Sequence, residues 1–119
     1  MTDKQFEDGL ATRKKVMGED FVTRAFESVT DFTAPLQQHI TRKRSGLDLK
    51  TRSLITVAML TALGKQHELK GHVRGALNNG ATVEEIQEVL LHAAVYCGVP
   101  TSVEAFRSAA EVIEGIQKA

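Results

Sequence analysis

The sequence feature that most constrains the fold is the almost entirely apolar run from Leu54 to Leu63. Asp48 precedes it, and aspartate is a favoured residue type at the N-terminus of a helix. The run is too short to cross a bilayer, so it predicts a helix that is buried on most of its sides. No segment of the chain shows the sustained two-residue alternation that is typical of strands. The sequence therefore predicts an all-α fold.

Helical spacing of apolar residues, interrupted by capping and turn signals, predicts a compact domain of six to seven helices spanning residues 1–119. Thr82 to Glu85 matches a capping box, and Gly80 is placed where a helix would end. The predicted helices lie near residues 3–17, 20–30, 33–44, 48–63, 65–79, 82–97 and from about 101 onward, with Ser45-Gly46 breaking the third and Phe106, Ala109, Ala110, Ile113 and Ile116 on the buried face of the last.

Between Gly64 and Gly80 one helix face is apolar and the opposite face is charged. On that polar side Glu68 and His72 are one turn apart, about 40° from each other around the axis. A carboxylate in that position can orient an imidazole for proton transfer, although on most helices such a pair is an exposed ion pair. His67 points about 100° away from Glu68 and misses the H-E-x-x-H spacing by one residue, so we expect no metal site.

Charge and cysteine content exclude several classes of function. The 15 basic and 15 acidic residues balance, and the chain has no Trp, which disfavours binding to nucleic acid or to an anionic membrane. Cys97 is the only cysteine, so a disulfide framework and a Cys-x-x-Cys motif are excluded. The N-terminus has no apolar signal region, and we therefore expect a cytoplasmic protein.

Two further residues are candidates for binding. Arg52 lies in the first turn of the buried helix, where a cation is electrostatically unfavourable unless it serves an anionic ligand or a neighbouring carboxylate. His92 lies in the middle of the sixth predicted helix, where a hydrogen-bonded core histidine is the usual interpretation. By default Cys97 would be a small buried apolar residue.

The motifs HELKGHV, ALNNG and YCGVP, within GLDLKTRSLITVAMLTALGKQHELKGHVRGALNNGATVEEIQEVLLHAAVYCGVP, make the chain similar to the 4-carboxymuconolactone decarboxylase family of the alkylhydroperoxidase D-like superfamily. VTDFTAP and EAFRSAAEVIEG extend the resemblance over most of the chain. It implies an all-helical homo-oligomer, commonly a homohexamer, that works without a cofactor in the β-ketoadipate pathway. The implied substrate is a small lactone with two carboxylates, which loses CO2 to give 3-oxoadipate enol-lactone.

Peroxidase members of that superfamily carry a Cys-x-x-Cys with a histidine four residues beyond the second cysteine. In this chain His72 matches the histidine, while Glu68 and Lys65 stand where the two cysteines would be. The resemblance thus implies Glu68 and His72 as the catalytic acid and its partner, with Arg52 and His92 as substrate-binding residues. The family pattern has a tryptophan-containing insertion between the positions of Arg42 and Gly46 that this chain lacks, so a related small lactone or acid is an alternative substrate.

Two other functions stay open on the sequence alone. One is a redox activity of the alkylhydroperoxidase type that uses Cys97 alone, without a second cysteine. The other is a non-enzymatic oligomeric scaffold, suggested by the small residues along the last four helices.

Overall fold

A computed structural model describes residues 3–42, 44 and 46–118, and these residues form seven α-helices and no strand. The all-α prediction is therefore confirmed. None of the described helices is long and apolar enough to span a membrane. The helices are α1 Lys4–Met17, α2 Glu19–Glu27, α3 Ala34–Thr41, α4 Leu49–Leu63, α5 Gln66–Asn78, α6 Val83–Cys97 and α7 Val99–Lys118.

Helices α1 to α3 form one unit within residues 1–47. Helix α1 packs against both α2 and α3. Phe6 and Phe26 meet edge to face, with 6.2 Å between ring centroids. The guanidinium of Arg13 donates to Gln37 at 2.9 Å and to Thr41 at 3.1 Å. Burial lowers the pKa of Arg13, and these polar partners keep the charged group satisfied.

Helices α4 to α7 form a second unit, within residues 48–119, and local signals explain where they begin. The Asp48 carboxylate accepts a 2.7 Å hydrogen bond from the Thr51 backbone N–H and so caps α4. Thr82 and Glu85 form the predicted capping box at the start of α6. The asparagine–glycine end of α5 also has the expected geometry, since Gly80 has φ 91°.

Two contacts define how these helices run. The side chain of Asn79, just after α5, donates to Ser53 Oγ at 2.8 Å near the start of α4, so α4 and α5 are antiparallel. A 3.0 Å ion pair between Lys50 and Glu85 joins the first turns of α4 and α6. Ala58 and Ala93, about two turns further along these helices, line the same groove, so the two helices run in the same direction.

The core of the second unit lies among α4, α5, α6 and α7, which contact one another. The apolar stripe predicted for α5 is fully buried at Leu69, Val73 and Ala76. The other large, fully buried apolar side chains of this unit are Val57, Ile86 and Leu90. Buried hydroxyls are satisfied, since Thr61 Oγ1 donates to the Val57 carbonyl at 2.8 Å.

The predicted burial of α4 on most sides is wrong for the isolated chain, because only Val57 and Thr61 of this helix are buried. Ile55, Met59 and Leu63 are exposed along one side. Periodicity cannot reveal this, since a helix that is apolar all round shows no preferred buried face.

The predicted ends of several helices also need correction. Helix α2 ends at Glu27 and not at Thr30, and α3 ends at Thr41 before the basic residues. Helix α7 begins at Val99 rather than near Thr101, since proline is tolerated in a first turn. On α7, Ala110 and Ile116 are exposed instead of buried. The predicted break at Ser45 lies outside the described residues.

Candidate functional site

Glu68 and His72 lie in the first half of α5. Glu68 is in the first turn and is exposed, and the positive end of the helix dipole favours a negative charge there. His72 follows one turn later and is partly buried. The regular geometry of α5 therefore places the carboxylate of Glu68 and the imidazole of His72 on one side of the helix, as the sequence predicts.

The side of α5 that carries His72 is directed toward α4. Asn79 lies seven residues beyond His72, and residues seven apart share a helix face. Its side-chain amide reaches both Ser53 Oγ and, at 3.4 Å, the Leu49 carbonyl on α4. Contacts to α7 come from a different side, where Lys70 pairs with Glu111 at 2.6 Å. His72 is thus on the border between α4 and solvent.

Arg52 lies at the opposite end of this helix pair from Glu68. It is adjacent to Ser53, which contacts Asn79 at the end of α5. Glu68 precedes Asn79 by eleven residues, a rise of about 16 Å along the helix. One chain therefore does not bring the backbone positions of Arg52 and Glu68 together.

His92 lines a different site, a groove of about 600 Å³ between α4 and α6. Both helices contribute apolar lining, with Leu54, Ile55 and Ala58 from α4 and Val89 and Ala93 from α6. The imidazole of His92 packs on the Tyr96 ring with 4.8 Å between centroids. His92 is exposed and is not the core histidine that is usual at the middle of a helix.

The groove contains functional groups that the sequence reasoning missed. Glu88 and Tyr96 lie one turn before and one turn after His92, and Cys97 and Thr51 complete the polar lining. The four-residue spacing of Glu88, His92 and Tyr96 on α6 was a signal that could have revealed this polar edge. Cys97 is exposed at the end of α6, contrary to its default interpretation as a buried residue.

The four predicted residues lie in three separate places. Glu68 and His72 share one side of α5, Arg52 lies near the far end of α4, and His92 lies in the α4–α6 groove. Among the described residues, no group of three or more His, Cys, Asp or Glu side chains is arranged to hold a metal ion. Proton transfer and binding of an apolar or anionic small molecule are the chemistry that these side chains offer.

Residues 27–111 match the carboxymuconolactone decarboxylase family. The chain is 40% identical over 124 aligned residues to 4-carboxymuconolactone decarboxylase of Acinetobacter baylyi, covering 98% of this chain and 92% of that protein. It is 45% identical over 107 residues to nitrosuccinic acid decarboxylase of Metarhizium robertsii, covering 84% and 75%. An uncharacterized 15.0 kDa protein of Paracoccus denitrificans is 38% identical over 74 residues, or 60% of this chain and 55% of that one. The chain belongs to the carboxymuconolactone decarboxylase family.

Proposed function

We propose that this protein is a cofactor-free carboxy-lyase whose substrate is 4-carboxymuconolactone and whose product is 3-oxoadipate enol-lactone. The observation that carries the proposal is the 40% identity to the Acinetobacter enzyme across 98% of the chain. The same coverage supports our proposal that residues 1–119 form one domain of this family.

The reaction requires stabilisation of the negative charge that develops on the substrate and the transfer of one proton. When the carbon–carbon bond to the leaving carboxylate breaks, its electron pair spreads through the ring to the lactone carbonyl. A hydrogen-bond donor at that oxygen lowers the barrier, and an acid then protonates the carbon. We assign the acid–base work to Glu68 and His72. Because Glu68 lies at the favourable end of the helix dipole, we assign it the charged role and His72 the role of proton donor.

Arg52 and His92 are proposed to bind the substrate. A guanidinium suits the carboxylate that remains on the substrate, and an imidazole can hold its second polar end. Since Arg52 lies at the opposite end of the α4–α5 pair from Glu68 and His92 lies in the α4–α6 groove, we propose that these residues act in a homo-oligomer, with a hexamer as the expected form. We further propose a cytoplasmic protein that binds neither nucleic acid nor membrane, because its formal charges balance.

Nitrosuccinic acid is a second candidate substrate, favoured by the 45% identity to the Metarhizium enzyme. It shares the essential chemistry with the lactone, since it has two carboxylates and a group that accepts the electron pair released with CO2. In nitrosuccinic acid that group is the nitro group. The same acid–base pair would serve both reactions.

Incubating the purified protein with each substrate and measuring CO2 release tests the proposal. We expect Glu68→Gln and His72→Ala each to lower kcat/KM at least about tenfold, as for the loss of a general acid–base group. Glu104→Gln and His67→Ala are the matched controls and should keep the activity. Both candidate residues are misassigned if their variants retain full activity, and the reaction is misassigned if neither substrate loses CO2 faster than in buffer.

A further inference from the structure

We propose that a second copy of this chain docks on the outer side of α4 and α6, in an antiparallel arrangement around a twofold axis. We call this surface the α4–α6 face and define it by six residues, which are Ile55, Met59 and Leu63 of α4, Val95 and Tyr96 of α6, and Val99, the first residue of α7. The inference extends the proposed homo-oligomer by naming its contact surface. It is independent of the proposed reaction, because assembly is measured without substrate.

The α4–α6 face is unusually exposed for its composition. Its six side chains have exposed fractions between 37% and 77%. Large apolar residues scattered singly on a surface are ordinary, but these form a connected set. Ile55, Met59 and Leu63 follow one another at four-residue spacing on one side of α4, and Ile55 shares the groove with Tyr96 of α6. Val95 precedes Tyr96 on α6, and Val99 is the first residue of α7. A contiguous apolar surface of this kind marks an interaction site.

The sequence around the face also lacks the charges that a solvent-facing helix needs. Residues 53–64 contain no charged side chain. Residues 89–103 contain no Asp, Glu, Lys or Arg, and their titratable side chains are His92, Tyr96 and Cys97. A helix that is apolar all round is found in the interior of a larger structure. For α4 that interior is absent in the isolated chain, because Met59 and Leu63 are more than half exposed.

The exposed area is sufficient for a stable contact. With about 200 Å² for a large fully exposed side chain, the six residues present roughly 700 Å². A standard protein–protein interface buries about 800 Å² per partner. The groove between the helices adds a concave surface to this area.

Other occupants fit less well than a second copy. A small molecule in the groove would contact Ile55 and Tyr96 and leave Met59, Leu63 and Val95 in water. An anionic membrane surface attracts clusters of basic residues, whereas both signs of charge flank this face. Segment 89–103 lies between Glu88 and Glu104, and segment 53–64 lies between Arg52 and Lys65. A twofold contact places a surface against itself, and an uncharged centre avoids like-charge repulsion there.

Charge at the two ends of the face favours the antiparallel arrangement. Glu88 lies toward the start of α6, and Lys65 follows the end of α4; both are exposed. Because the ion pair places Lys50 and Glu85 at the same height, Glu88 lies about six residues, or about 9 Å, before the level of Met59. Lys65 lies six residues, or about 9 Å, after Met59. A twofold axis that passes between α4 and α6 at the level of Met59 therefore brings Glu88 of one copy opposite Lys65 of the other.

Sedimentation of the full chain without substrate tests the contact. We expect the wild type to assemble and Met59→Glu and Val95→Glu each to give a smaller species, because a charge would be buried in the contact. Ile116→Glu is the control, since Ile116 is 45% exposed on α7 outside the face. Circular dichroism verifies that each variant is helical. A monomeric wild type, or face variants that assemble like the control, would overturn the proposal.

Cys97 provides a test that needs no substitution. It is the only cysteine, it is exposed in the single chain and it lines the groove beside Tyr96. We expect its reaction with an aromatic disulfide reagent to become several-fold faster when the wild-type protein is diluted below the dissociation constant of the assembly. A rate that is fast and independent of protein concentration would show that the groove is never covered.

Reversal of the end charges tests the orientation. Glu88→Lys should weaken association about tenfold, since it places two lysines opposite each other. Adding Lys65→Glu should restore association, because the pair is then re-formed with opposite signs. A double variant that associates no better than Glu88→Lys would overturn the antiparallel arrangement.

Discussion

Buried hydroxyl groups on α7 connect it to the neighbouring helices. Ser102 Oγ donates to the Leu90 carbonyl on α6 at 2.7 Å, and Ser108 Oγ donates to Gln66 Oε1 on α5 at 2.6 Å. Both serines are buried, although their residue type is usually exposed. The sequence does not reveal such contacts, because each partner lies on another helix.

Replacing Ser102 should destabilise the protein measurably. We expect Ser102→Ala to lower the free energy of unfolding by about 1 kcal/mol, the usual net value of a buried hydrogen bond. Urea denaturation followed by circular dichroism measures the change. Ser28→Ala is the matched control, since the exposed Ser28 hydroxyl bonds only to nearby carbonyls such as that of Ala25. Equal losses in the two variants would contradict a special role for Ser102.

At the scale of the helix, side-chain caps mark the starts of α1, α4 and α6, and the signals at Asp48 and Thr82 predicted the last two of these starts. Asp3 accepts from the Phe6 backbone N–H at 3.3 Å, as Asp48 and Thr82 do for their own helices. These contacts involve residues three apart, so they depend little on the rest of the fold. Helix ends without such a signal, as in α2, were predicted less accurately.

The capping box predicts a specific dependence of stability on pH. The hydrogen bond from the Thr82 backbone N–H, helped by the Lys50 ammonium, lowers the pKa of Glu85. A carboxyl whose pKa is lower in the folded state stabilises the fold above its unfolded pKa, and this contribution disappears as pH falls through the lowered value. Stability should therefore decrease on acidification below about pH 4.3, the unperturbed value for glutamate.

Chemical denaturation at pH 7 and pH 3 separates this contribution from the others. Glu85→Gln should be less stable than the wild type at pH 7 and should lose less stability on acidification. Glu84→Gln, at the neighbouring exposed position of the same helix, is the control and should follow the wild type. The assignment fails if both variants have the same dependence on pH.

At the scale of the whole molecule, α5 combines the main core stripe with the candidate catalytic pair. Leu69 directly follows Glu68 in the sequence and is fully buried in the core of the second unit. We expect Leu69→Ala to lower the free energy of unfolding by about 2–5 kcal/mol, from lost burial and the cavity that remains. Leu36→Ala, at a position that is 59% exposed, should change it by less than about 0.5 kcal/mol. Similar values for the two variants would show that Leu69 does not carry the core.

The candidate site was only partly predictable, because some of its residues are close in the sequence and others are positioned by contacts between helices. Glu68 and His72 are four residues apart, and helix geometry alone relates them. Their role in catalysis stays a prediction, as do the binding roles of Arg52 and His92. The placement of Arg52 at the far end from Glu68 follows from the antiparallel contact of Asn79 with Ser53, which no local pattern contains.

The sequence by itself determined the helical class, most of the helix starts, the core stripe of α5 and the family, because these depend on spacing and capping within about one turn or on residue identity along the chain. Only the tertiary structure decided that His92 lines a groove with Glu88 and Tyr96, and that one side of α4 is exposed. The physical reason is that burial depends on which helices become neighbours. A helix that is apolar on every side does not specify which side its own chain will cover.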